Sequence, residues 1–202
     1  TGSNDPAIKI IELREITEWA KPIYIKIGAS RTYYDTMLSI KAGADAIVLD
    51  GMQGGTAATQ DVFIEHAGIP TLPAIRQAVE ALQEMDMHRT VRLIVSGGIR
   101  SGADVAKALA LGADAVSIGT AALIALNCNA PIHVEDYRAL GTEPGSCHHC
   151  HTGRCPVGVA TQIPGLEARL DVDAATRRVR NYLSTLALEA QTLARACGKS
   201  HL

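Results

Sequence analysis

The sequence predicts an α/β protein of the (β/α)8 TIM-barrel class, of which this chain is the C-terminal half, followed by a cysteine loop and a C-terminal helix. Three observations carry that expectation. Strand, glycine turn and helix succeed one another four times in order, as parallel strands with helical crossovers require. Hydrophobic residues make up 47% of the chain, aromatics only 3%, and there are 18 Gly. That balance suits buried parallel strands joined by tight turns. Finally, Lys41-Ala-Gly-Ala-Asp-Ala-Ile-Val-Leu49 rhymes with Leu111-Gly-Ala-Asp-Ala-Val-Ser-Ile118, the Gly-Ala-Asp phrase closing a helix and opening a strand each time. A complete barrel takes about 250 residues and eight strands. Four strands in 202 residues leave the remainder to be absent from this chain or supplied by another.

The elements follow in order. Ala7 to Trp19 places Ile8, Ile11, Ile16 and Trp19 at helical spacings, with Asn4 or Asp5 as cap and Pro6 first in the helix. Pro22 precedes a strand, Ile23–Ile27, that ends in Gly28; Tyr33–Ala42 is a helix stopped by Gly43. Ala46–Leu49 is a strand running into Asp50-Gly51, and Thr56–His66 an irregular or short helical piece. A long helix spans Leu72–Met87, capped near Thr71 with Pro73 in its first turn. Val91–Val95 is the third strand and Ser101 caps a helix over Ala103–Ala110. Ala115–Ile118 is the fourth strand, with a helix over Ala121–Leu126 after Gly119-Thr120. Residues 127–165 are rich in Pro, Gly, His and Cys and have little periodicity. A helix resumes over Ala174–Cys197, with Val179, Leu183, Leu186, Leu193 and Ala194 on one side. The domain reading is 1–126 for the barrel half, 127–165 for the cysteine loop and 166–202 for a helical extension.

Charge and cysteine usage narrow the partners. A net charge of −2 gives no reason to expect nucleic acid. No apolar run reaches the ~18 residues of a membrane span, and no charged-then-apolar signal opens the chain. Five cysteines, four of them between 128 and 155, argue against a disulfide framework and for a reducing, cytoplasmic setting.

The strongest motif is Ser146-Cys-His-His-Cys-His-Thr-Gly-Arg-Cys-Pro-Val-Gly158, which puts Cys147, Cys150 and Cys155 within nine residues, with Cys128 upstream. Thiols so closely spaced converge on one small object: an iron–sulfur cluster, a zinc ion or a disulfide. Cys-x-x-Cys with a third Cys and a following Pro is the pattern of cluster loops. His133, His148, His149 and His151 keep zinc open as a ligand set. Glycine turns at the carboxyl ends of barrel strands bind phosphate through backbone N–H groups. Ser96-Gly97-Gly98-Ile-Arg100-Ser-Gly102 and Gly119-Thr120 follow the last two strands, where such a site belongs. Asp50-Gly51-Met-Gln53-Gly54-Gly55-Thr56 is a second glycine-rich loop, whose Gly54-Gly55 lets backbone lie flat against a planar ligand while Asp50 and Gln53 bond a ring edge. Lys26 is the one charge inside an apolar strand. A lysine facing a barrel interior needs an anion or carbonyl opposite it. Arg31 and Arg100 follow strands and suit either a substrate carboxylate or the surface, whereas Tyr33, Tyr34 and Met52 read as packing residues.

Together, Lys26, the Asp50–Thr56 loop, Ser96–Gly102, Gly119-Thr-Ala-Ala-Leu-Ile-Ala-Leu126 and Cys150-His-Thr-Gly-Arg-Cys-Pro-Val-Gly-Val-Ala-Thr-Gln162 resemble the FMN-binding domain of the glutamate synthase family over nearly the whole chain. In wording, Ile27–Asp35 and Gly51–His66 are similar to the branch containing the large subunit of N-methylglutamate synthase, a methylamine–glutamate N-methyltransferase. The resemblance implies an FMN-dependent (β/α)8 barrel with phosphate on Gly97, Gly98, Gly119 and Thr120. The isoalloxazine would lie near Lys26 and the Gly51–Thr56 loop, Lys26 stabilising reduced flavin or clamping a substrate carboxylate. It also implies a [3Fe–4S] cluster on three cysteines, passing electrons to the flavin. Here the sequence departs from the family pattern. Cys128 holds the place of the first family cysteine, about twenty residues intervene before Cys150, and Cys147 is extra. The cluster ligands are then Cys128, Cys150 and Cys155, or Cys147 in place of Cys128, while all four would suit [4Fe–4S].

The implied chemistry is an oxidoreductase that makes glutamate, or N-methylglutamate, through a 2-iminoglutarate-type intermediate. Its substrates are glutamate or 2-oxoglutarate with ammonia or methylamine, and its partners a glutaminase-like subunit or the missing barrel half in an oligomer. Two other classes share parts of the pattern: a non-flavin phosphate-binding barrel of the inosine-monophosphate dehydrogenase kind, and a non-catalytic subunit or fragment.

Overall fold

The computed structural model of the chain describes residues 5–54 and 60–202. Strands β1 (Tyr24–Gly28), β2 (Ala46–Asp50), β3 (Arg92–Ser96) and β4 (Ala115–Ser117) form one parallel sheet, and their order in the sheet is their order in the chain. Parallel neighbours need a crossover between each pair. Helices α2 (Thr32–Lys41), α4 (Thr71–Glu84) and α5 (Gly102–Ala110) provide them. The other helices are α1 (Asp5–Ile16), α3 (Asp61–His66), α6 (Thr120–Ala125), α7 (Val134–Ala139), α8 (Pro164–Glu167) and α9 (Val172–Ala196).

Strand alternation sorts side chains onto two faces. Ile25, Ile47 and Leu93 stand in register, as do Ile27, Leu49, Val95 and Val116. These meet Ile40 of α2, Ala74, Ile75, Ala78, Val79 and Leu82 of α4, and Ala108 of α5 in the main core. Tyr24, Lys26, Val48, Asp50, Ile94, Ser96 and Ser117 take the opposite face, and Tyr24, Lys26 and Ser117 are exposed there. The crossover helices cover only the first face of the sheet, and the second is open.

The repeated Gly-Ala-Asp phrase has a structural cause. Gly43 and Gly112 adopt left-handed φ values of 92° and 116° after α2 and α5, the conformation glycine supplies most readily at a helix C-terminus. Two residues on, the aspartate turns back to the amino end of the preceding strand. The Asp45 N–H donates to the Ile23 carbonyl at 2.9 Å, and its Oδ2 accepts the Ile23 N–H at 2.6 Å. Asp114 repeats this at Leu93: its N–H donates to the Leu93 carbonyl at 2.8 Å and its Oδ2 accepts the Leu93 N–H at 2.9 Å. Each aspartate therefore latches a helix exit to the start of a neighbouring strand. The Ile23 N–H and Arg14 hold the Asp45 carboxyl below its usual range against the opposing effect of burial. Burial works against the charge on Asp114, but the Leu93 N–H and the Arg89 and Arg92 guanidiniums outweigh it, so that carboxyl is also lowered.

Several local expectations are corrected. The apolar stripe expected of α1 is exposed: Ile8, Ile11, Ile16 and Trp19 lie between 49% and 77% accessible, and Ile10 is the buried residue. Glu18 and Trp19 already have left-handed φ values, so the helix stops three residues short of the expected Trp19. The cap position of α4 falls on Pro70, and Thr71 begins the helix. Tyr34 and Met52 are exposed rather than packed. The Ser101 cap is as expected, with Asp104 completing a capping box. Residues 127–165, read as lacking periodicity, contain α7 and short turns at Pro131–His133 and Cys150–Thr152.

Helix α9 lies across α5 and α6. Ala175, Val179, Tyr182, Leu186 and Ala190 form its inward seam, whereas Leu183 and Leu193, expected on that side, are 43% and 38% exposed. Its closest approach is at Gly102. A Cβ there would stand 2.4 Å from the Leu186 carbonyl oxygen and 2.5 Å from the Ala190 nitrogen. The Gly102 N–H donates to Glu189 Oε2 at 2.7 Å and the Tyr182 hydroxyl to the Arg100 carbonyl at 3.0 Å. Arg178 donates to the carbonyls of Ala125 and Leu126 at the end of α6, two residues before Cys128.

Candidate functional site

Sheet register brings Gly28, Asp50, Ser96 and Ser117 into one row at the carboxyl ends of the strands. Asp50, Ser96 and Ser117 share the open face with Lys26, as expected of a lysine directed away from the helices. Lys26 Nζ lies 2.8 Å from Asp50 Oδ2; the lysine side chain is 60% exposed and the aspartate 14%. Asp50 Oδ1 is buried and makes no hydrogen bond among the described residues. It abuts Gly54, where a Cβ would come within 1.9 Å of that oxygen. An unbonded carboxylate oxygen is costly to bury, and a ligand N–H or O–H at this place would satisfy it.

The loop after β2 and the turn after β3 interlock. Gly51 donates its N–H to the Ser96 carbonyl at 3.0 Å. Gln53 Oε1 accepts the Thr71 N–H at 3.0 Å and faces the Thr71 hydroxyl at 2.8 Å, while the same hydroxyl lies 2.7 Å from the Gly97 carbonyl. Gln53, expected to bond a ring edge, thus has its carbonyl committed to Thr71 and only its NH2 group left for a ligand. Gly97 and Gly98 have φ values of 99° and 73°, and a Cβ on Gly97 would press on Gly51 backbone atoms from 3.0 Å. Beside Gly119, by contrast, a Cβ would meet no atom within 4 Å. Thr120 opens α6. Arg100 is exposed, and its backbone is held between Asp104 and Tyr182. Gly55 and Thr56 lie outside the described residues.

The second group gathers around α7. Tyr137 packs with Cys155 and Cys147, and Cys128 follows α6 within electrostatic reach of all three other thiols. Burial first, then the Cys150, Cys155 and Cys147 thiols, push the Cys128 thiol up, partly offset by the Asn129 backbone N–H. Cys128 sits between Asn127 and Asn129, whose φ values of 86° and 63° are tolerated by asparagine better than by most residues. Tyr137, 1% exposed, packs with Cys155, Val157 and Cys147 in a small core of its own. Its hydroxyl is buried and makes no hydrogen bond of normal geometry, although the Asn129 N–H faces it. Arg169 ties this assembly together, one guanidinium nitrogen lying 2.8 Å from both Asp136 Oδ2 on α7 and the Pro156 carbonyl.

Cys128, Cys147, Cys150 and Cys155 are free thiols, and 21 residues lie between Cys128 and Cys150. Among the described residues no group of three or more His, Cys, Asp or Glu side chains is set to grip a single metal ion. His148, His149 and His151 instead stack on one another, with ring centroids 4.6 and 6.3 Å apart. Tyr137 was not foreseen, and its only sequence signal is an aromatic in the short, aperiodic Val134–Ala139 segment.

A parallel α/β sheet with glycine turns at the carboxyl ends of its strands, followed by a cysteine-rich segment, defines the class. A family model described as "Conserved region in glutamate synthase" matches residues 1–200, and the chain belongs to that family. It is 65% identical over 202 residues to a "Glutamate synthase large subunit-like protein" of Rhizobium meliloti, covering 100% of this chain and 46% of that protein. It is 41% identical over 195 residues to an "Archaeal glutamate synthase (NADPH)" of Methanocaldococcus jannaschii, covering 96% and 35%. With the "Archaeal-type glutamate synthase (NADPH)" of Thermotoga neapolitana it shares 40% over 185 residues, covering 91% and 33%. The chain thus spans less than half the length of these curated relatives. Among the described residues no helix is long and apolar enough to cross a membrane.

Proposed function

We propose that this chain carries part of the FMN barrel and the iron–sulfur loop of a glutamate synthase-type oxidoreductase that makes glutamate or N-methylglutamate. The observation that carries the reading is the Lys26–Asp50 pair with its spare, buried Oδ1, set at the strand ends where the glycine turns interlock. Those residues fit a flavin: an unbonded acceptor for a ring N–H, a cation for its electron-rich edge, and open space at Gly119 for a phosphate. FMN, when bound, supplies hydride exchange with the α-carbon of the amino or imino acid. Lys26, steadied by Asp50, orients the ring edge or a substrate carboxylate. Gly97, Gly98, Gly119 and Thr120 hold the phosphate, Ser96 and Arg100 flank it, and the Gly51–Thr56 loop lies along the ring.

The four cysteines between residues 128 and 155 are read as ligands of a cluster rather than of a single ion. The Cys147-x-x-Cys150 spacing, with Cys155 and Pro156 following, is what supports a cluster there. Cys128, Cys150 and Cys155, with Cys147 as fourth or replacement ligand, would hold a [3Fe–4S] or [4Fe–4S] cluster, which supplies one-electron transfer. Free thiols suit a reducing, cytoplasmic setting. The four strands fit consecutive positions in a (β/α)8 barrel whose other strands would cover the open face, and a glutaminase-like subunit would deliver ammonia.

The full-length protein is expected to be yellow-brown, to release FMN on denaturation and to contain iron. Lys26→Met should weaken FMN retention by at least tenfold. A colourless, iron-free protein refutes the reading. Incubation with methylamine and glutamate distinguishes the amine donors: N-methylglutamate formed without added reductant assigns methylamine, because that exchange consumes no electrons. Product only from 2-oxoglutarate, ammonia and a reductant assigns glutamate synthesis.

A further inference from the structure

Contacts from two loops converge on Thr71, the first residue of α4 and buried there. Its N–H donates to Gln53 Oε1 at 3.0 Å. Its hydroxyl, with one proton to give, stands 2.8 Å from the same oxygen and 2.7 Å from the Gly97 carbonyl. A Cβ on Gly51 would fall 1.9 Å from that hydroxyl oxygen, and one on Gly97 would fall 3.0 Å from it. Thr71 thus occupies the space that both glycines leave, and joins the loop after β2 to the turn after β3. The contact also fixes a polarity. A backbone N–H can only donate, so the amide atom that faces it must be the oxygen. The Gln53 NH2 group is therefore turned the other way, on a residue that is otherwise exposed.

We propose that Thr71 is a positioning residue of the ligand site: it holds Gln53 as a hydrogen-bond donor, so that Gln53 and Asp50 together read a ligand edge in which a carbonyl adjoins an N–H. This rests on the flavin reading above and goes beyond it by assigning each protein group its partner. Asp50 Oδ1 is a buried acceptor with no donor among the described residues. Lys26 is a cation 2.8 Å from the other oxygen of that carboxylate. Gln53, its oxygen already taken, has only N–H to offer. Cation, acceptor and donor are the set that the pyrimidine edge of a flavin requires, since that edge runs carbonyl, ring N–H, carbonyl. Gln53 takes a ring carbonyl and Asp50 the ring N–H. An amide turned the other way would set oxygen against oxygen, and a polar mismatch separates ligands more sharply than a difference in size. Thr71 acts through Gln53 and Gly97 rather than on the ligand.

The test uses the full-length protein, freed of flavin and reloaded with FMN whose two pyrimidine carbonyls carry carbon-13. Gln53→Glu keeps an oxygen for Thr71 and changes only the ligand-facing group from donor to acceptor. It should weaken FMN binding by about tenfold or more and move one labelled carbonyl stretch in the infrared to higher frequency, while the flavin-free protein unfolds as the parent does. Thr71→Val, which keeps the shape and the N–H but not the hydroxyl, should weaken binding and move the same stretch in the same direction, and Thr71→Ser should restore both. Where the variants fail to fold, the parent alone decides: FMN methylated at the ring N–H must bind about tenfold more weakly than FMN, or worse. Binding of FMN by Gln53→Glu within about threefold of the parent, with both stretches unmoved, overturns the inference. Equal binding of methylated and unmodified FMN by the parent overturns it too. A parent that takes up no FMN at all instead refutes the flavin reading, and the two failures are distinguishable.

Discussion

Gly102→Ala should release the C-terminal helix. The added methyl carbon would lie 2.4 Å from the Leu186 carbonyl oxygen, 2.5 Å from the Ala190 nitrogen and 2.6 Å from Glu189 Cβ. Two of these are backbone atoms of α9, so no rotamer change relieves the clash. Ordinary contact lies near 3.5 Å, so the helix must retreat by about 1 Å at its tightest point. Overpacking of this kind costs about 1–3 kcal/mol. The same retreat stretches the hydrogen bond from Gly102 N–H to the Glu189 carboxylate, worth about 1.5–3 kcal/mol as a bond to a charged group. Replacing glycine in a helix returns about 0.5–1 kcal/mol. The balance is roughly 3 kcal/mol, which should speed amide exchange by about 10²-fold at those α9 positions that exchange through detachment from α5. Hydrogen–deuterium exchange on the full-length protein, read by mass spectrometry over 172–196, measures it directly. Glu189→Gln, which keeps the packing, should show a much smaller effect. Arg178 leaves the α6 carbonyls as α9 lifts, so iron retention near Cys128 should fall in parallel. Protection of α9 within about threefold of the parent would refute the reasoning.

Two further expectations follow from local geometry. Asp114→Asn removes the charged acceptor of the Leu93 N–H and the partner of Arg89, and should cost about 1.5–3 kcal/mol at neutral pH by urea unfolding. The folded-state pKa of Asp114 is lowered, so its contribution is complete above the ordinary carboxylate value of about 3.9 and disappears as pH falls through the lowered one. Parent and variant should therefore converge in acid, and equal stability at pH 7 would be the contrary result. Asn127→Ala should cost about 1–2 kcal/mol because of its left-handed φ, while Asn127→Gly should be close to neutral. Thermal shifts of the two variants check this, and equal losses would assign the effect to the amide side chain.

Much of the fold was legible because period and punctuation agreed. The four strand positions lie within two residues of expectation, since apolar β-branched runs ended by Gly-Gly, Asp-Gly or Gly-Thr admit few other readings. The Gly-Ala-Asp rhyme was visible, but its physical content was not: a carboxylate reaching back to an N–H some 21 or 22 residues earlier leaves no periodic trace. The exposed stripe on α1 shows the opposite error, in which helical spacing marked an apolar side without marking what it meets. On α9 the inward seam follows Ala175, Val179, Tyr182, Leu186 and Ala190 because Gly102 demands small residues and bare backbone opposite it. Leu183 and Leu193 were more hydrophobic but wrongly phased. Tyr137 was hidden for a further reason, since nothing in a six-residue helix announces that Cys147, Cys155 and Val157 will pack against it.

The paired aspartate latches divide β1 and β3 between two tasks. Stapled at their amino ends to the helix exits beside them, these two strands keep their alignment whatever is built at the opposite rim. Turns such as Asp50–Gly54 and Ser96–Gly98 can then change length or chemistry without unfastening the sheet beneath, a freedom on which new specificities of this scaffold would draw.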